Sequence, residues 1–122
     1  MKLIDSLFEA LESSDTESGF VTTIKLNAAH LVYSGHFPGH PVTPGVIQIQ
    51  IVHELSENYF QKKLKLLTMP QCKFLKILNP EEASLIVIHV EFTRTDELLN
   101  IKASGVDGTD IFLKLNAVYR FI

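Results

Sequence analysis

From residue 46 onward, the apolar positions Val46, Ile47, Ile51, Val52, Leu55, Tyr59 and Phe60 recur at helical spacing and continue toward Lys62. Thr43 stands where it can N-cap this helix, with Pro44 at the first helical position. Further along, the period changes to two. Ile111, Leu113, Leu115, Ala117, Tyr119 and Phe121 alternate with Lys114, Asn116 and Arg120, the pattern of an antiparallel strand with one buried face. Extended stretches are predicted over 64–78, interrupted at Met69-Pro70, and over 83–95, 98–106 and 110–121. Asn79-Pro80, Asp96-Glu97 and Asp107-Gly108 mark the turns between them. Upstream, residues 19–26 read as a strand and 31–33 as a shorter extended piece. At the start, Leu3, Ile4, Leu7, Phe8 and Leu11 share a helical face before Ser13-Ser14, which predicts a short amphipathic helix serving as a lid or cap. The pattern as a whole is α+β: one long helix and a sheet of antiparallel strands.

Composition narrows the class. The 122 residues are read as one domain, 1–122, without internal repeats or linkers, and 46% hydrophobic against 20% charged residues suits a packed core. No apolar run approaches the roughly 20 residues of a membrane helix. Met1-Lys2 is followed by Asp5 and Glu9, not by a signal-peptide core, so a cytoplasmic protein without a membrane span is expected. A net charge of −3 argues against a generally basic, nucleic-acid-binding surface. Cys72 is the single cysteine, which excludes an internal disulfide, and its apolar surroundings assign it to packing.

The chemistry is concentrated in Gly35-His36-Phe37-Pro38-Gly39-His40-Pro41-Val42-Thr43-Pro44-Gly45-Val46. Three prolines fix φ and remove amide donors while three glycines permit tight turns, so a loop of this composition can hold one imidazole in place. The run strongly resembles the motif of the 3-hydroxyacyl-acyl carrier protein dehydratases, with Thr43 where that family has Met and Ile47 where it has Leu. Cys72-Lys73-Phe74-Leu75-Lys76 and Asn79-Pro80-Glu81-Glu82 resemble the family's next strand and turn, Glu81 standing in place of Gly.

The resemblance implies a hot-dog fold, a long central helix wrapped by a curved antiparallel sheet of five to six strands. It implies removal of water from a 3-hydroxyacyl thioester on acyl carrier protein to give a trans-2-enoyl chain, in fatty acid or specialised polyene or lipid biosynthesis. Dehydration needs a base at C2, an acid for the departing C3 oxygen and donors for the thioester carbonyl. Carried over by position, His36 is the base, the backbone carbonyl of Val42 orients it, and the backbone N–H of Gly45 holds the thioester oxygen. Phe37, Val46, Ile49 and Phe74 are expected to line the acyl pocket. The last donor role is physically sound, because amides at a helix N-terminus are unpaired and the dipole favours negative charge.

The acid position departs from the family. It lies fourteen residues after the histidine and here holds Gln50, while Glu54, one turn on, stands where the family commonly has Gln. The resemblance then allows a relocated acid, with Glu54 donating directly or through a water held by Gln50. The plain alternative for Glu54 is a solvated helix carboxylate near Glu57 and Lys62. Other readings are a catalytically incomplete subunit of a heterodimeric dehydratase, an acyl-binding module and a hot-dog thioesterase. No cofactor is expected, the substrate arriving on the phosphopantetheine arm of the acidic carrier. Lys73 and Lys76, with Lys62, Lys63 and Lys65, are candidates for docking it. A homodimer, a higher oligomer or a heterodimer is expected. His40 is read as exposed or packing, His30 and His89 carry no motif, and no metal site is expected.

Overall fold

The structure is a computed structural model describing residues 2–34 and 39–122; Gly35, His36, Phe37 and Pro38 lie outside the described residues, as does Met1. Six strands and one long helix follow in the order β1 Phe8–Asp15, β2 Gly19–Leu26, α1 Gly45–Phe60, β3 Leu64–Phe74, β4 Leu85–Arg94, β5 Leu98–Asp107 and β6 Asp110–Phe121. Every neighbouring pair is antiparallel, in the spatial order β1-β2-β4-β5-β6-β3. The sixteen residues of α1 span about 24 Å, close to the length of the strands they lie across. Ile47, Ile51, Val52 and Leu55 on the helix and Ile24, Ile88, Leu99, Leu113 and Tyr119 on the strands belong to one buried cluster. This is the expected hot-dog layout, with the apolar stripe of the helix filling a curved sheet.

At the C-terminal end of α1, Tyr59 stacks on Phe20 at 4.3 Å, Phe60 packs edge-on to Phe92 and Phe121, and the Arg94 guanidinium lies 4.4 Å above Phe121. Gln61 then terminates the helix in the left-handed region.

Four local expectations are corrected. Residues 3–7 form no amphipathic helix. They make a tight turn, in which the amides of Ser6 and Leu7 bond to Leu3 O and Asp5 takes φ +67°, and the chain then enters β1. Burial of Leu3, Leu7 and Phe8 in the core and pairing of β1 with β2 outweigh the helical spacing, and Leu11 is left exposed at a bulge. Residues 31–33 form a 3-10 turn instead of an extended piece, capped by His30, whose Nδ1 accepts from Val32 N at 3.0 Å. Pro44, not Thr43, is the N-cap of α1, and among the described residues no side chain caps it. In β6, a register shift between Gly105 and Val106 turns Phe112 into the core and Ile111 outward, because Gly105 leaves the space that the Phe112 ring occupies.

Candidate active site

The site is built on α1 and the segments at its two flanks. In front of the helix, the amides of Ile47 and Gln48 both bond to Pro44 O, so the first helical amides, Gly45 and Val46, have no acceptor within the helix. Phe74, at the end of β3, lies directly over Gly45: its Cζ is 2.5 Å from where a Cβ on residue 45 would be. Any side chain at residue 45 would have to displace the half-exposed Phe74 ring. Two of the predicted site residues, far apart in sequence, thus share one spot. Val42 is half-buried just before the helix, Ile49 packs against the core from its partly buried position, and Val46 is exposed. The predicted base His36 and the lining residue Phe37 lie outside the described residues.

One turn further along α1, Gln50 and Glu54 face a cavity of about 550 Å³ that is also lined by Lys2, Ile4, Glu57, Lys62 and Lys63. Glu54 is not a solvated surface carboxylate, being only 7% exposed. Its oxygens accept from Leu3 N at 2.8 Å, from Ile4 N at 2.8 Å and from Gln50 Nε2 at 2.8 Å. Charge-assisted bonds of this kind are the strong ones. The carboxylate is therefore an anchor that fastens the N-terminal turn to the helix and holds the Gln50 amide beside it. To act as an acid it must take a proton on an oxygen that now faces N–H donors.

Glu57, one more turn along, accepts from Leu64 N at 2.8 Å and lies 3.3 Å from His53 Nε2, while the His53 ring packs against Tyr119. Burial, with the Glu57 charge as a second contributor, pushes the Tyr119 hydroxyl up to about 12, and among the described residues this hydroxyl has no hydrogen-bond partner.

The lysines divide. Lys76 is paired with Asp107 at 3.2 Å and Asp110 at 3.1 Å, so its charge is already matched. Lys73 is exposed and sits directly opposite Lys114 in the β3–β6 pairing, a like-charge juxtaposition. Lys2, which carries no sequence signal, joins Lys62 and Lys63 around the cavity because Glu54 draws the N-terminal turn onto the helix. His40 is exposed beside the helix entry, and His89 is exposed on β4. Among the described residues no three histidine, cysteine or carboxylate side chains converge as a metal centre requires, and no helix is long and apolar enough to cross a membrane.

A helix laid across a six-stranded antiparallel sheet, with polar groups on its open flank and a glycine-bearing N-terminus under an aromatic ring, defines the chain as a hot-dog protein. Solved structures agree on the fold: the dehydratase heterocomplex ApeI:P from Xenorhabdus doucetiae superposes with a TM-score of 0.73 at 16% identity, covering 92% of this chain and 96% of that one. A putative thioesterase, yhdA from Lactococcus lactis, superposes with 0.69 at 11% identity, covering 100% and 99%. The sequence model of the ApeI-like dehydratases matches residues 12–109, and the chain belongs to that family. Among curated relatives, a 3-hydroxyacyl-[acyl-carrier-protein] dehydratase FabZ from Novosphingobium aromaticivorans is 33% identical over 69 residues, 51% of this chain and 44% of its own length. Its counterpart from Lactiplantibacillus plantarum is 30% identical over 81 residues, 61% of this chain and 54% of its own. The chain thus spans about half the length of the curated relatives it matches.

Proposed function

We propose that this chain is a hydro-lyase that removes water from a 3-hydroxyacyl thioester carried on acyl carrier protein, leaving a trans-2-enoyl chain. The observation that carries the reading is membership of a dehydratase family, and it is supported by Phe74 seated on Gly45 at the start of α1 and by the Gln50–Glu54 pair further along the same helix. In this reaction His36 takes the C2 proton, the electron pair forms the C2–C3 double bond, and the C3–O bond breaks as the oxygen receives a proton. The Gly45 amide receives the charge that develops on the thioester oxygen, where a preorganised donor lowers the barrier. Glu54 supplies the proton, directly or through a water held between it and Gln50. One well-placed acid or base contributes roughly 10² to 10⁴ in rate.

A second reading is favoured by the same carboxylate. Three N–H groups already occupy Glu54, and Gln50 cannot donate as an acid, so the chain would be the subunit that supplies His36 while a second hot-dog subunit supplies the acid. The outer edge of the sheet suits assembly in either case. β3 is an edge strand, and Leu66, Leu67, Phe74, Leu75 and Ile77 along and just beyond it are 40 to 72% exposed, an apolar run that edge strands normally avoid. The carrier would approach over Lys62, Lys63 and Lys73.

The test is to incubate the purified chain alone with a (3R)-3-hydroxyacyl carrier protein and follow the intact acyl mass. Loss of one water supports the self-sufficient enzyme. Unchanged mass that turns into loss of water when a second dehydratase subunit is added supports the two-subunit reading. Hydrolysis to the free acid would replace both with a thioesterase, and unchanged acyl mass throughout would leave an acyl-binding module.

A further inference from the structure

Ten residues apart, Tyr33 and Thr43 stand at the two ends of the segment that carries the motif, and their hydroxyls meet at 2.9 Å in the interior. Tyr33 closes the 3-10 turn and is 6% exposed; Thr43 is 1% exposed. Thr43 is held on two further sides. Its N–H donates to Leu78 O at 2.8 Å, and its carbonyl accepts from Gln48 Nε2 at 3.0 Å. Every hydrogen-bonding group of Thr43 is therefore engaged, each with a different part of the fold.

Gln48 makes the arrangement informative. It is 4% exposed in the first turn of α1, and among the described residues its Oε1 has no hydrogen-bond partner. Turning the amide over does not relieve this, because Oε1 would then face the Thr43 carbonyl, acceptor against acceptor. The protein retains a buried acceptor without a donor while gripping one carbonyl, and that carbonyl belongs to the residue two before Gly45. Between them Pro44 holds φ at −58°, so little freedom separates the grip from the Gly45 amide.

We propose that Tyr33, Thr43 and Gln48 form a buried clasp in which Thr43 is a positioning residue, setting the direction of the Gly45 amide at the head of α1. Thr43 is thus not a cap. It is the fixed point from which the helix starts, with the Phe74 ring closing the other side of Gly45. The use of that amide on a thioester oxygen rests on the hydro-lyase reading above; the clasp itself does not.

The experiment compares Thr43→Val, Tyr33→Phe and Thr43→Ser with the unaltered protein in two readouts. The first is hydrogen exchange at the residue 43 amide, with the β5 amide of Ile101 as internal reference. The second is turnover of the 3-hydroxyacyl carrier substrate. Thr43→Val and Tyr33→Phe should each raise exchange at residue 43 about tenfold over the reference and lower kcat about tenfold with KM within twofold, and Thr43→Ser should restore both. Unchanged exchange at residue 43, or an equal rise at Ile101, overturns the clasp. Faster exchange with unaltered kcat overturns the positioning role. If the unaltered protein turns over no such substrate, the exchange result still decides the clasp, and the hydro-lyase reading falls separately.

Discussion

Removing the Glu54 carboxylate separates anchoring from catalysis. In Glu54→Ala the amides of Leu3 and Ile4 and the Gln50 side chain lose their common acceptor. A buried polar group left unsatisfied costs about 1–3 kcal/mol, so two main-chain amides set a scale of about 2–6 kcal/mol. The molecule has a cheaper exit, because the N-terminal turn can peel off the helix and hydrate its amides. Peeling forfeits the burial of Leu3, which is 2% exposed, worth about 1.5–3 kcal/mol, along with the bonds to the carboxylate. The expected loss is therefore about 2–4 kcal/mol, a large part of the stability of a typical domain. Urea unfolding measures it, and a peeled native state should also lower m, since less surface remains to be exposed. Hydrogen exchange at residues 3–8 should accelerate while β5 stays protected. Glu54→Gln keeps one acceptor but turns an NH₂ group toward donors, so it should lose less stability than Glu54→Ala. Unaltered stability and protection in both variants would refute the anchor. Full turnover in Glu54→Gln would refute the relocated acid while leaving the anchor standing.

Other consequences are open to test. Tyr119, raised from an ordinary 10 to about 12 chiefly by burial, binds its proton more tightly folded than unfolded, so its contribution is complete below pH 10 and lost as pH rises toward 12. At about 1.4 kcal/mol per unit this amounts to about 3 kcal/mol, and Tyr119→Phe should remove that part of the alkaline loss while leaving stability at pH 7 unchanged or slightly improved, as pH-dependent urea midpoints would show. Gly45→Ala should force the half-exposed Phe74 ring aside at less than the cost of overpacking a closed core, about 1–3 kcal/mol, and a urea midpoint lowered by more than that would show that the ring cannot give way. Charge reversal at Lys73 should weaken carrier binding more than reversal at Lys76, whose charge Asp107 and Asp110 already match, and equal losses in a salt titration would count against that placement.

Much of the fold was legible because its periods are strong. The helix begins and ends within two residues of its pattern, and β5 and β6 follow theirs to within a residue at their ends. Three of the four errors share a cause, a partner outside the local pattern, while the turn at 31–33 was decided by the neighbouring His30 cap. The spacing of Leu3, Ile4, Leu7, Phe8 and Leu11 suits a helix, but Glu54 and the β2 edge claim that segment. Thr43 before Pro44 has the local form of a cap, yet its hydroxyl is taken by Tyr33. Ile111 keeps the alternation of β6 on paper, and a bulge opposite Gly105 gives its inward place to Phe112. At the site, the motif pointed to Gly45 and Phe74, which the fold brings together. It did not reveal that Glu54 holds main-chain amides about fifty residues away, since main-chain donors carry no residue code.

Phe74 has two allegiances. Its ring lies on Gly45, and its backbone belongs to β3, an edge strand that carries exposed apolar residues. A shift of β3 is therefore a shift of the ring at the head of α1, whatever causes it. A screen selecting only on turnover would return changes on this strand as often as changes on the helix, and their common origin would be visible only in the geometry of one phenylalanine.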